Sequence, residues 1–201
     1  MVKVAIFDYG AGNIFSLKSS LEKNDAQVDV VTDLNHSNNY SGLLLPGVGN
    51  FDPAIHSLNS SKKAFADVVK NQIPVLGICL GMEMFFERSE EGKESGLGVL
   101  EGDVILLPNK FKIPHMGWND LQIKKPSRLL EGVKEGSWVY FVHSYRANPR
   151  NPDIVKADSD YGISVPAVIE SGPLFGTQFH PEKSSKVGSI MIKNFLRECK
   201  K

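Results

Sequence analysis

Apolar residues dominate the opening stretch, Lys3 to Tyr9, which is too short for a helix and predicts a strand. Gly10-Ala11-Gly12-Asn13 predicts a turn, after which Ile14, Leu17 and Leu21 recur at helical spacing. Gln27 to Thr32 alternates as a second strand. Gly42 to Leu45 reads as a buried third strand that closes in Pro46-Gly47-Val48-Gly49-Asn50-Phe51. From Phe51 to Asn71 the period is helical, with Ala64, Phe65, Val68 and Val69 on one side. Ile73 to Ile78 is the next buried strand, and a helix is expected from Leu80 towards Arg88. Strands alternating with helices predict a mostly parallel sheet covered on both faces.

The second half has another texture. Short β-like runs follow one another: Val104 to Leu107, Leu121 to Lys124, Val139 to Tyr145, Ile154 to Ala157, Ala167 to Glu170 and Leu174 to Phe179. Ser127 to Leu130 fits one helical turn. A last helix, about Lys186 to Lys200, is expected to point Ile190, Phe195 and Leu196 inward. The expected fold class is therefore α/β: a mostly parallel central sheet flanked by helices, with additional antiparallel strands in the second half. No repeat, low-complexity tract or long linker divides it, so residues 1–201 are expected to form a single domain.

Composition narrows the function. A chain of 201 residues is long enough to bury a full core. Lys plus Arg, 23, equals Asp plus Glu, 23, which argues against bulk binding of nucleic acid or an anionic membrane. No apolar run approaches the roughly 18 residues of a membrane span. Cys79 and Cys199 form neither a disulfide framework nor a zinc site, and the histidines at 36, 56, 115, 143 and 180 lack metal-ligand spacing. No metal and no cofactor are expected, and a reducing cytoplasm is the default compartment. The early Gly10-Ala11-Gly12 resembles a dinucleotide turn only in part. Phe15 stands where the third glycine is needed, so it reads as a tight βα loop.

Candidate chemistry centres on Gly77-Ile78-Cys79-Leu80-Gly81, a cysteine between two glycines where a buried strand meets a helix. Such a turn lifts a nucleophile clear of the sheet, and the helix N-terminus is expected to favour the reactive thiolate. Phe179-His180-Pro181-Glu182 supplies a base and its orienter. At i and i+2 in extended chain, the two side chains share a side. Alone, His180 reads equally as a structural histidine; with the cysteine turn it reads as catalytic. Gly47-Val48-Gly49 and the N–H of Leu80 are candidate oxyanion donors, against the plainer reading of a simple turn.

These three segments together resemble the triad-type, class I glutamine amidotransferases. Four more stretches, Phe7 to Asn13, Pro114 to Asn119, Phe141 to Arg146 and His180 to Ser185, resemble the glutaminase subunits of imidazole glycerol phosphate synthase within that family. The resemblance runs from residue 3 to the last helix. It implies a Cys79–His180–Glu182 triad that hydrolyses glutamine through a thioester. It also implies a (β/α)₈-barrel cyclase partner that receives the ammonia in histidine biosynthesis. Ser144 and Tyr145 match positions that hold the amino-acid part of glutamine. Lys183 matches a lysine that pairs with an acidic group on the cyclase, and Trp118, Tyr140 and Asn13 are further interface candidates. Glu83 departs from the family pattern, which usually has glutamine there. A carboxylate accepts hydrogen bonds but does not donate them unless protonated. Three other readings stay open: a glutaminase for another synthase, a catalytically silent regulatory subunit, and a thiol protease or γ-glutamyl hydrolase.

Overall fold

The computed structural model describes residues 1–10 and 12–200, with only the backbone of Asn38. The middle of the expected Gly10–Asn13 turn, Ala11, lies outside the described residues. In chain order the elements are β1 (Val2–Phe7), α1 (Ile14–Glu22), β2 (Ala26–Val31), β3 (Gly42–Leu45), α2 (Phe51–Leu58), α3 (Lys62–Lys70), β4 (Val75–Ile78) and α4 (Leu80–Glu83). There follow β5 (Arg88–Ser89), β6 (Gly102–Leu106), β7 (His115–Asp120), β8 (Gln122–Ile123), β9 (Trp138–His143) and β10 (Tyr145–Pro149). Last come β11 (Val155–Asp160), β12 (Ser164–Ser171), β13 (Leu174–Thr177) and α5 (Ser185–Glu198).

The main sheet has the order β2-β1-β3-β4-β13-β12-β11-β8. Its first five strands are parallel neighbours, and β12, β11 and β8 are added antiparallel. This is the α/β class expected. The period of two in β1 shows how the faces are filled. Val4 and Ile6 turn towards Leu17 and Leu21 of α1 and Phe195 of α5. Ala5 and Phe7 turn towards Phe51, Ile55, Phe65 and Val68 of α2 and α3. Two smaller sheets, β10-β6-β5 and the pair β7-β9, flank the carboxyl ends of the parallel strands.

Several expectations change. The helical stretch from Phe51 breaks at a 3-10 turn, Asn59–Ser61, whose Asn and Ser residues are poor helix formers. The helix after Cys79 ends at Glu83 rather than running towards Arg88. Residues 127–130 form a single turn, closed by the Leu130 N–H on the Ser127 carbonyl and not continued as a helix, and Arg128 ties it to Glu170 and Glu198. Ile190 faces solvent, and Met191, Ile192, Phe195 and Leu196 face the core instead. At about 100° per residue, Ile190 lies roughly 140° around the helix from Phe195, so the two do not share a face. β7 was not foreseen, because HMGWND carries no β-branched residue; its pairing with β9 makes it a strand.

α5 packs close to the turn that follows β13. A Cβ on Gly188 would overlap the carbonyl oxygen of Pro181. Gly188→Ala is therefore expected to destabilise the chain by about 2 kcal/mol, as overpacking does. An unchanged urea unfolding midpoint would refute this.

Candidate active site

Three adjacent parallel strands, β3, β4 and β13, end on the same edge of the sheet. They deliver Pro46 to Gly49, Cys79 and the segment leading to His180. This is the edge at which open α/β sheets build their sites.

Cys79 sits at φ 51°, ψ −111°, a backbone conformation that is costly for a residue with a Cβ. The surroundings hold it there. Its N–H donates to the Thr177 carbonyl at 2.6 Å, and its carbonyl accepts from the N–H groups of Met82 and Glu83. A Cβ on Gly81 would overlap the Leu45 carbonyl, and one on Gly47 would overlap the Ile78 carbonyl. Only glycine lets these backbones close round Cys79.

The expected thiolate is not favoured in this resting arrangement. Burial, followed by the charge of Glu83, pushes the Cys79 thiol well above its ordinary range. α4 is a single short turn, so its dipole is too small to oppose that. The S–H is 3.8 Å from the Val142 carbonyl, where it can donate a weak hydrogen bond. The resting residue is a protonated thiol.

His180 Nδ1 lies 2.8 Å from Glu182 Oε1, and the two side chains are 2% and 4% exposed. An ionised carboxylate can only accept, so this bond puts a hydrogen on Nδ1. His180 Nε2 is buried with no hydrogen-bond partner among the described residues. The pairing is made differently from the sequence expectation. β13 ends at Thr177, and Pro181–Lys183 form a 3-10 turn that swings Glu182 back onto the ring. Ser184 fastens that turn to β9: its hydroxyl donates to the His180 carbonyl and accepts from the Tyr140 N–H.

A cleft of about 290 Å³ opens at Cys79. Val48, Gly49, Leu80, Glu83, Ser144 and Tyr145 line it, with Glu91, Pro114, Val142 and His143. Gly47 does not line it; that residue is packed beneath, against the Cys79 turn. The backbone N–H of Leu80 approaches the Cys79 sulfur and lowers its pKa slightly against the larger burial effect. Gly49 has φ 122°, a conformation open to glycine.

Gln178 was missed by sequence reasoning. Its amide donates to Glu83 Oε1 at 2.9 Å and lies 3.7 Å from Cys79 Sγ. Its place two residues before His180 was the available signal, since alternate residues near a strand end share a side. Glu83 is fully enclosed, and burial, opposed only in part by the Gln178 bond, raises its carboxyl to about 7.

The four interface candidates lie outside the cleft. Trp118 packs edge-on to Tyr140 at 6.0 Å, and Lys183 Nζ stands 5.8 Å from the Tyr140 ring centre. Met116, Trp118 and Trp138 are 62%, 49% and 57% exposed, so the β7–β9 pair turns an apolar face to solvent. Asn13 caps α1 by accepting from the Ser16 N–H. Among the described residues, no helix is long and apolar enough to cross a membrane.

Comparison with known proteins bears on the family and the fold. The profile of the family described as glutamine amidotransferase class-I matches residues 5–199. The chain is 46% identical to the imidazole glycerol phosphate synthase subunit HisH of Geobacillus kaustophilus, covering 96% of this chain and 95% of that one. It is 43% identical to the HisH subunit of Aquifex aeolicus, over 100% and 99% of the two chains. Among solved structures, a glutamine amidotransferase superposes with TM-score 0.78 at 18% identity, over 98% of this chain and 99% of that one. The glutaminase domain of Trypanosoma brucei CTPS with bound acivicin superposes with TM-score 0.72 at 18% identity, over 100% and 94%. These two support the fold alone.

The raised Glu83 carboxyl has a consequence for stability. Folding lifts its pKa from 4.5 to about 7, so the folded chain holds this proton more tightly than the unfolded chain. Its contribution is full below about 4.5 and is lost as the pH rises through about 7. Glu83→Gln removes the ionisable group. It is expected to unfold several degrees above the wild type at pH 8, with the gap narrowing towards pH 5. Calorimetric melting at both pH values tests this, and a gap independent of pH would count against it.

Proposed function

The chain belongs to the class-I glutamine amidotransferase family, and from that we propose that it is the glutaminase subunit of an imidazole glycerol phosphate synthase, serving histidine biosynthesis. Near-full-length identity of 42–46% to HisH subunits from several organisms is the observation that carries the reading. We take residues 1–201 as one glutamine amidotransferase domain. The cytoplasm is its proposed compartment, in keeping with two free cysteines.

In this reading Cys79 is the nucleophile, His180 the base and Glu182 its orienter. The thiol proton passes to His180 Nε2 as the sulfur attacks the side-chain carbonyl carbon of glutamine. The oxyanion is held by backbone N–H groups of the Val48-Gly49 segment and of Leu80. Collapse breaks the C–N bond, and the imidazolium returns its proton to the leaving nitrogen as ammonia. Water then gives a proton to His180 and attacks the thioester. The sulfur leaves, takes the proton back, and glutamate is released. Ser144 and Tyr145 are the proposed contacts to the amino-acid end of the substrate. Glu83, when ionised, is suited to its α-ammonium and repels its α-carboxylate.

The proposed partner is a (β/α)₈-barrel cyclase subunit, bound as a heterodimer that receives the ammonia. The exposed Met116, Trp118 and Trp138 beside Tyr140, Lys183 and Asn13 form the proposed docking face, and aromatic side chains of this kind are common anchors.

Glutaminase assays with and without a cyclase subunit and its nucleotide ligand test the assignment. Activity is expected to be weak alone, to rise with the cyclase, and to vanish in Cys79→Ala. Activation by a chorismate-using subunit instead would overturn it. In the active complex Glu83→Gln should leave turnover intact and change mainly the KM for glutamine; loss of kcat would contradict the substrate-contact role.

A further inference from the structure

Two histidines that the mechanism does not use stand at the cleft wall, His143 in its lining and His115 behind it. His115 and His143 come from β7 and β9, are directly paired in register, and are 3% and 5% exposed. His115 Nδ1 is 2.9 Å from His143 Nε2. His143 Nδ1 is 2.6 Å from the Tyr145 carbonyl oxygen, and His115 Nε2 is 3.4 Å from Asn119 Nδ2.

The tautomers follow from the two ends. A carbonyl only accepts, so His143 carries its hydrogen on Nδ1 and leaves Nε2 as an acceptor. At the other end, the Asp120 N–H donates to Asn119 Oδ1, which identifies the NH₂ that faces His115. An NH₂ only donates, so His115 accepts on Nε2 and carries its hydrogen on Nδ1. Both ends require the same arrangement at the middle bond: His115 Nδ1–H donates to His143 Nε2. Burial lowers His115 to about 4 and His143 to about 3, which keeps both rings neutral. The His115 ring is clamped between Phe141 and Tyr161, with ring centres 4.6 and 4.0 Å away.

The chain of bonds therefore starts on β7, beside the exposed Trp118, and ends at the bend His143-Ser144-Tyr145 that lines the cleft. Besides this relay, the Leu107 N–H holds the bend through the Ser144 carbonyl.

We propose that His115 is a positioning residue for the glutamine pocket: its Nδ1–H fixes the ring of His143, which holds the Tyr145 carbonyl and so sets the cleft wall at residues 143–145. This rests on the glutaminase reading for its kinetic consequence, but not for its geometry.

The test compares His115→Leu, His115→Asn and Asn119→Asp. The amide that His115→Asn introduces can still donate from nearly the place of Nδ1. The carboxylate that Asn119→Asp introduces keeps the volume but only accepts, so it gives up the bond that Nδ2 donates to the Asp160 carbonyl at 2.9 Å, draws the His115 hydrogen to Nε2 and sets two lone pairs against each other. In complex with the cyclase, His115→Leu and Asn119→Asp should raise KM for glutamine about tenfold, as loss of one neutral hydrogen bond does, with kcat within about twofold. His115→Asn should restore most of it. In the full chain, ring-nitrogen NMR at pH 7 should find His143 as the Nδ1–H tautomer, and Asn119→Asp should abolish that single state.

A wild-type KM in both disrupting variants, or equal damage in His115→Asn and His115→Leu, overturns the proposal. So does an Nε2–H tautomer for His143 in the wild type. If the wild-type complex lacks glutaminase activity, the functional reading fails, and the tautomer measurement still decides the relay. If His115→Leu does not fold, Asn119→Asp carries the kinetic arm.

Discussion

The site depends on backbones approaching more closely than side chains allow. Gly47 lies against the Ile78 carbonyl and Gly81 against the Leu45 carbonyl, and together they enclose Cys79 at a φ that its own Cβ disfavours. The strain persists because three parallel strands on the same edge leave the turn no alternative. Once β3, β4 and β13 are neighbours, Gly47 to Gly49, Cys79 and the segment leading to His180 arrive on one edge. The rest of the chain supports this edge. α5 braces the turn that carries Glu182, and β9 is stapled to it through Ser184.

Electrostatics at the edge runs against simple expectation. A cysteine at a helix start is usually read as an activated thiolate. Here α4 is too short to contribute much, and burial with a neighbouring carboxyl dominates. In the proposed mechanism activation therefore falls to His180, whose Nδ1 is held by Glu182 and whose Nε2 has no partner among the described residues. Glu83 adds a second proton-sensitive group near the same sulfur, linked to it through one amide of Gln178.

Much of this was legible in the sequence where local rules suffice. The apolar runs at β1, β3 and β4 are buried strands, and the glycines round Cys79 mark a tight turn. What was not legible depended on partners distant in the chain. His115–Asp120 is a strand because β9 pairs with it, not because its residues favour one. The expectation that Ile190 points inward with Phe195 fails because the two do not share a helix face. Gln178 had only its spacing from His180 to mark it, and the contact between His115 and His143 becomes visible only when β7 and β9 stand side by side. His180 and Glu182 were rightly paired, but by a 3-10 turn rather than an extended strand.

The protonated state of Cys79 also bears on durability. Oxidants and adventitious electrophiles attack thiolates, and their damage climbs from sulfenic acid to forms that are not reversed. A thiol kept neutral and almost wholly enclosed, at 7% exposure, offers them little. The same burial that disfavours the thiolate thus shields this sulfur in a chain whose only other cysteine, Cys199, is also buried.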